Sequence, residues 1–280
     1  MKKMFSDLPK QAPEYDLRDL LEAGCHFGHQ KAKWNPHMAE WIYMEKDGVH
    51  IFDLAKTASQ LQTAYDFAYD LGSKGKSVII VGTKRQARDI VIEAAQKAGM
   101  FYVVSRWLGG FLTNWNQVKK SIKKMNDIEA GLKTGKYDGY TKYERVQLEK
   151  EQNRLERFFV GVKNLKTTPD CIFVIDPKRE DIAVKEARNE KVPVVSLIDS
   201  NADPDLVDLP IPANDDAVKS IRFIVDQFAA GYLAGKSGKA AQPAKKAAPA
   251  VKTAVSKTVA SKTAAPKKET KKPEEKTEKK

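Results

Sequence analysis

Ser77-Val-Ile-Ile-Val-Gly-Thr-Lys-Arg-Gln86 reads as a strand, a turn and the start of a helix. Its first five residues form a short apolar run with β-branched side chains, which suits a buried strand. Helical spacing of apolar residues then runs over 86–98, and Gly99 stops it. The same unit repeats outward along the chain. Phe101-Tyr-Val-Val104 is the next strand, and Asp170-Cys-Ile-Phe-Val-Ile175 is another, followed by helical spacing over 180–190. Val192-Pro-Val-Val-Ser-Leu-Ile198 carries Pro193 at its start, where a missing N–H is tolerated. Asp208-Leu-Pro-Ile-Pro212 gives a last, short edge strand, and Asn214 opens a final helix to about Leu233. Apolar runs alternating with helices predict an α/β domain with a mostly parallel sheet and helices on both faces.

Upstream, residues 1–14 hold Pro9 and Pro13 and read as a flexible N-terminal extension. Asp16 caps a short helix that Gly24 ends, and residues 25–36 read as irregular. Two apolar runs flank Glu45-Lys-Asp-Gly48, a hairpin signal. Asp53 then caps a helix to Leu71, with Ala58, Leu61, Tyr65 and Ala68 on its inner face.

The alternation breaks after Val104. Arg106-Trp-Leu-Gly-Gly-Phe-Leu-Thr-Asn-Trp115 leads into a segment in which Trp115, Val118, Ile122, Met125, Ile128 and Leu132 step by three or four. Gly131, Gly135 and Gly139 mark a turn, and Leu148, Leu155, Phe159 and Val162 continue a stripe on a returning helix. Residues 109–166 are therefore expected to form an antiparallel coiled-coil helical hairpin. It is inserted into an α/β domain made of residues 15–108 and 167–235.

Charge is segregated along the 280 residues. The net formal charge is +12, yet residues 236–280 hold 14 lysines against 4 glutamates. Residues 106–168 hold 14 Lys or Arg against 7 Asp or Glu, so the rest of the body is mildly acidic. Placing cations on one inserted segment and one tail points to a polyanionic partner. The tail is almost all Ala, Lys, Pro, Thr and Ser, a composition expected to be disordered. Cys25 and Cys171 form no CxxC pair, which predicts a reducing compartment and no disulfide framework. No run approaches the roughly 18 apolar residues of a membrane span. The first 14 residues lack the apolar centre of a secretory signal, so a cytoplasmic, membrane-free protein is expected.

Three clusters offer chemistry. Gly82-Thr-Lys-Arg85 sits where a phosphate cradle would, but its glycine spacing fits neither common nucleotide-binding pattern. Cys25, His26, His29 and His37 crowd one loop and offer zinc-type ligands at a spacing that matches no finger. Asp199, Asp203, Asp205 and Asp208 follow a strand at the sheet edge where ligands of α/β folds bind, and a turn-rich loop explains them as well. No metal or cofactor is assigned, and no nucleophile motif accompanies any histidine. Two other readings compete with a structural RNA-binding protein. One is an α/β enzyme holding a phosphorylated ligand at 82–85, and the other a DNA-binding protein using the tail.

Several stretches together carry a resemblance. They are His26-Phe-Gly-His-Gln30 with Trp34-Asn-Pro36, Val81-Gly-Thr-Lys-Arg85, Arg106-Trp-Leu-Gly-Gly110 with Leu112-Thr-Asn-Trp115, and Pro169-Asp170 with Phe173-Val-Ile-Asp176. Asp199-Ser-Asn-Ala-Asp-Pro-Asp205 and Ile211-Pro-Ala-Asn-Asp-Asp216 complete the ordered set. In these the chain closely resembles the bacterial family of ribosomal protein two of the small subunit, over about residues 15–235. The resemblance implies a flavodoxin-like sheet with a protruding helical hairpin and no catalysis. It implies a structural role in translation at the head–body junction of the small ribosomal subunit, on small-subunit ribosomal RNA. Neighbouring ribosomal proteins are implied partners, ribosomal protein one among them, with a single copy of this chain rather than a homo-oligomer. On that reading Lys84, Arg85 and Arg106 meet backbone phosphates. Trp34 and Trp107 stack on bases or pack, and Gly109 and Gly110 let backbone approach ribose. Lys119, Lys120, Lys123, Lys124, Arg154 and Arg157 lie off the helical seam, and His29 and Asn114 complete the RNA-facing set. Trp115 sits on the apolar stripe and is expected to pack.

Overall fold

The computed structural model describes residue 5 and residues 7–238. Most of the lysine-rich tail, expected to be disordered, therefore lies outside the described residues. Helix α1 (Leu17–Glu22) is capped by the Asp16 carboxylate, which accepts from the Arg18 amide. Residues 7–14 ahead of it are tied to the domain, unlike the loose lead-in expected. The Gln11 and Ala12 amides each donate to Asp66 Oδ1 at 2.7 Å.

Strand β1 (Phe27–Gln30) falls in the stretch expected to be irregular. It pairs antiparallel with β3 (Val49–Phe52), which also pairs with β2 (Ile42–Lys46), so the small sheet runs β1-β3-β2. Four residues without alternation carry no strand signal; the open edge of β3 makes β1 a strand. The hairpin between β2 and β3 forms as its Asp-Gly pair predicts. Asp47 (φ 53°) and Gly48 (φ 75°) both take the left-handed conformation, the geometry of a type I′ turn.

Helix α2 (Leu54–Ser73) begins at Asp53, whose side chain accepts from the Ala55 amide. It buries Ala58, Leu61, Tyr65 and Ala68, the face its sequence spacing marks. Strand β4 (Val78–Val81), helix α3 (Arg88–Ala98) and strand β5 (Phe101–Val103) follow. Gly99 closes α3 at φ 69°. The inserted segment forms α4 (Trp115–Lys133) and α5 (Lys142–Phe159). Thr141 and Glu144 satisfy each other's backbone amides at the start of α5, a complete capping box. Strand β6 (Cys171–Ile175), helix α6 (Asp181–Asn189), strands β7 (Val194–Ile198) and β8 (Leu209–Pro212) and helix α7 (Val218–Ser237) complete the chain. Helix α7 starts four residues later than its first polar signal. Asn214 Oδ1 accepts from the Asp216 and Ala217 amides and makes a side-chain turn there instead.

The five-stranded sheet has the order β5-β4-β6-β7-β8, with every pair parallel. Pro210 and Pro212 lie on β8, the edge, where a missing donor does least harm. Alternate residues divide the core into two. Val78, Ile80, Phe173, Val195 and Leu197 pack with α2, α3 and α7. Ile79, Val81, Ile172, Val174 and Ile198 pack with α6 and the inserted segment. Helices α2 and α7 approach closely through glycines. A Cβ on Gly235 would lie 2.1 Å from the Tyr69 carbonyl oxygen, and one on Gly72 2.1 Å from that of Tyr232. Cys25 and Cys171 are free and buried.

Candidate nucleic-acid interface

The inserted segment is held at its root by one buried carboxylate. Glu186 lies on α6, one turn from Ala183, and is 7% exposed. Its Oε1 accepts from the Gly110 amide at 2.7 Å and from Trp107 Nε1 at 3.3 Å. Its Oε2 accepts from the Leu112 amide at 2.9 Å. A charged acceptor holding several N–H groups is among the stronger hydrogen-bond arrangements. The loop can curl around it because Gly110 takes φ 87°, a conformation a Cβ disfavours. The aromatic rings then pack in sequence, tilted against one another, Trp107 to Phe111 at 4.7 Å and Phe111 to Trp115 at 5.9 Å. On the return side, a Cβ on Gly161 would sit 2.1 Å from the Tyr102 carbonyl oxygen, so only glycine lets the chain pass β5 that closely.

Above the root, Val118, Ile122, Met125 and Ile128 of α4 are buried in one cluster with Leu155 and Phe159 of α5. Lys124 pairs with Glu151 across the two helices at 2.9 Å, and Arg154 shares that carboxylate. Glu129 is shared by Lys133 and Lys163. These contacts hold Glu129 at about 2 and Glu151 below the usual carboxylate range, the hydrogen bonds from their cations being the main cause. Lys119, Lys120, Lys123 and Arg157 are exposed, and among the described residues none has a carboxylate within 4 Å.

The carboxyl edge of the parallel sheet carries the other candidates, and there the structure departs from the expectation. Lys84 is only 7% exposed and points inward. Its Nζ lies 3.0 Å from Asp176, 2.8 Å from Asp215 and 2.9 Å from Asp216. Burial pulls its pKa down, but Asp215, Asp216 and Asp176 outweigh that and raise it. Asp215 is pushed up to about 7, by burial first and then by the neighbouring Asp199 and Asp176. Lys84 is thus spent inside the protein and is unavailable to a phosphate. Gly82 serves packing, since a Cβ there would lie 2.9 Å from the Val91 side chain. Neither Gly82 nor Lys84 therefore cradles a phosphate at the strand-to-helix turn.

His29 is engaged in the same network. Its Nδ1 lies 3.0 Å from Asp199, and its Nε2 3.6 Å from Asp216. The hydrogen bond to Asp199 raises its pKa against the opposing effect of burial. Trp107 is 3% exposed and packs, so it offers no face to a base. Trp34 is half-buried with its ring 5.0 Å from that of His50. Arg85, Arg106, Gly109 and Asn114 are exposed. Cys25, His26, His29 and His37 do not gather. Cys25 is buried, which pushes its thiol up to about 11, while His37 sits at 3.2 and 3.1 Å from Asp203 and Asp205. Among the described residues, cation-type donor atoms converge instead at His29, Asp199 and Asp215 and at His37, Asp203 and Asp205.

The sequence profile of the family described as ribosomal protein S2 matches residues 20–235. That range takes in the whole sheet and the inserted helices. The chain belongs to the ribosomal protein S2 family. It is 47% identical over 223 residues to the small ribosomal subunit protein uS2 of Coprothermobacter proteolyticus, covering 80% of this chain and 83% of that protein. The ribosomal protein S2 family is a structural, non-enzymatic component of the small ribosomal subunit, working in translation and in the cytoplasm. Among the described residues no helix is long and apolar enough to cross a membrane.

Two groups escaped the sequence reading. Glu186 lies in an ordinary amphipathic helix, and nothing local marks its carboxylate as buried. Arg179 and Arg88 lie beside Thr83 in space, where nothing in the local sequence places them.

Proposed function

We propose that this protein binds small-subunit ribosomal RNA through the outward cations of its two inserted helices and the arginines at the edge of the sheet. The observation that carries this is the set Lys119, Lys120 and Lys123. They are exposed, unpaired among the described residues, and set on α4 by an apolar face that is itself buried. Lysines with no internal carboxylate keep their charge for an external anion, and neutralising phosphates releases counterions. Arg85, Arg106 and Arg157 belong to the same contact set, with Gly109 exposed where backbone can approach. Lys124 and Arg154 contribute less, because Glu151 already balances them. The two helices form a short antiparallel coiled coil that presents these charges as a rigid lever.

A seat at the head–body junction of the small subunit is part of this reading, and membership of the ribosomal protein S2 family supports it. Contact with neighbouring ribosomal proteins, ribosomal protein one included, in a single copy per subunit, belongs to the same proposal. Leu17 and Leu21, one turn apart on α1 and 46% and 55% exposed, suit such a protein contact. Co-sedimentation of ribosomal protein one with small subunits that carry or lack this chain checks it.

The test of RNA binding is the triple variant Lys119→Ala, Lys120→Ala, Lys123→Ala. Its affinity for small-subunit ribosomal RNA should fall. The slope of log affinity against log salt should shrink by roughly 2, at about 0.7 per lost phosphate contact. Unchanged affinity and slope in a variant with the parental melting temperature would show that α4 does not face RNA.

A further inference from the structure

A second cationic feature lies apart from the inserted helices. A cleft of about 350 Å³ opens at the carboxyl edge of the sheet, where β4, β5 and β6 end. Thr83, Ser105, Arg106, Arg179 and Glu180 contribute to its wall. Thr83 organises it. Its hydroxyl accepts from Arg179 Nε at 3.1 Å, and its carbonyl oxygen accepts from Arg88 Nε at 3.2 Å. The same hydroxyl donates its single proton to Glu180 Oε1. A guanidinium held by Nε keeps both terminal nitrogens free, and their planar fork matches two phosphate oxygens. Arg106 and Arg179 are exposed, and among the described residues neither has a carboxylate within 4 Å. Among the described residues, Glu180 is the one acid in the cleft wall. Its Oε1 is turned to Thr83, and burial raises its pKa.

We propose that this cleft is a phosphate subsite in which Arg106 and Arg179 clamp one phosphodiester of an RNA strand, with Thr83 as the positioning residue. The inference rests on the RNA-binding reading above and adds a site to it. The ligand chemistry is a phosphoryl oxyanion. Its source is the RNA backbone rather than a free nucleotide, because the cleft is open and the exposed Arg85 lies on the same β4–α3 turn.

The full-length protein is titrated with small-subunit ribosomal RNA over a range of salt, and separately with AMP and with inorganic phosphate. Arg106→Ala and Arg179→Ala should each lower RNA affinity on the order of tenfold, as expected for a charged hydrogen bond. Each should reduce the salt slope by about 0.7. The double variant should lose little more than either single one, because both side chains serve one phosphate. Arg179→Lys keeps the charge but loses the fork and the Thr83 bond. It should weaken binding while leaving the salt slope unchanged, and Thr83→Val should do the same to a smaller degree.

Additive losses in the double variant, amounting to two phosphate contacts, would overturn the clamp. So would unchanged RNA affinity in both single variants at parental melting temperature. Saturable AMP or phosphate binding that Arg179→Ala abolishes, with RNA binding intact, would make the cleft a free-phosphate site and overturn the RNA assignment. The triple lysine variant on α4 is measured alongside. If it weakens RNA binding and the cleft variants do not, the clamp fails alone; if none does, the RNA-binding reading fails.

Discussion

Replacing Glu186 by alanine would take away the acceptor around which residues 107–113 are wound. Five donors point at its carboxylate: three at 2.7, 2.9 and 3.3 Å, and the Thr113 amide and hydroxyl at 3.4 and 3.5 Å. Trp107 and Leu112 are 3% and 2% exposed, so water cannot replace the lost acceptor for them. Gly110 is only half-buried, and its amide can turn to solvent. Leaving a buried donor unpaired costs about 1–3 kcal/mol, so two of them amount to about 2–6 kcal/mol. That is a large part of the roughly 5–15 kcal/mol that separates a folded domain from its unfolded chain. Glu186→Gln keeps one oxygen and turns an amide N–H against the other donors, so about half that loss is expected. Urea unfolding measures the global effect as a lower midpoint. Amide exchange measures the local one, with faster exchange at Gly110 and Leu112 while β4 and β6 stay protected. A Glu186→Ala protein with the parental midpoint and parental exchange at those two amides would refute the anchoring argument.

Lys84→Met should destabilise by about 3–5 kcal/mol, because it leaves buried carboxylates without their cation; any loss of RNA affinity beyond that due to unfolding would restore a phosphate role for Lys84. Gly235→Ala should lower stability by about 1–3 kcal/mol through overpacking of α7 on α2, read as a fall in melting temperature. Asp170 bridges Lys76 at 3.1 Å and the Ser77 amide at 2.9 Å. Burial alone would raise its pKa, but these partners lower it below the ordinary 3.8. Its stabilisation is therefore present above about pH 4 and is lost as pH falls through the folded value. Asp170→Asn should flatten the acid side of the stability profile and leave its alkaline side unchanged.

The elements were legible where local chemistry decides them. The Asp47-Gly48 pair turns the hairpin, Asp53 and Gly99 bound their helices, and the alternation of apolar runs yields a parallel sheet with Pro210 and Pro212 on its edge. The outward lysines of α4 were legible too, because a helix that buries every third or fourth residue must expose the rest. The site was legible only in part. Lys84, Arg85 and Arg106 look alike in sequence, yet the first is buried among aspartates and the other two are exposed. Trp34 and Trp107 likewise look alike, and one is half-exposed while the other is packed.

Periodicity and capping act over a few residues, so the chain alone specified its strands, its helices and the segregation of its charge. The destination of each charged side chain depends on residues about 70 to 170 positions away, such as Glu186 for Gly110, Asp216 for Lys84 and Asp199 for His29. Whether a cation is free for a partner or neutralised within is an electrostatic balance set by neighbours that only folding brings together. That is why tertiary structure, and not the sequence, separated the lysine that holds the sheet edge from the arginines that face outward.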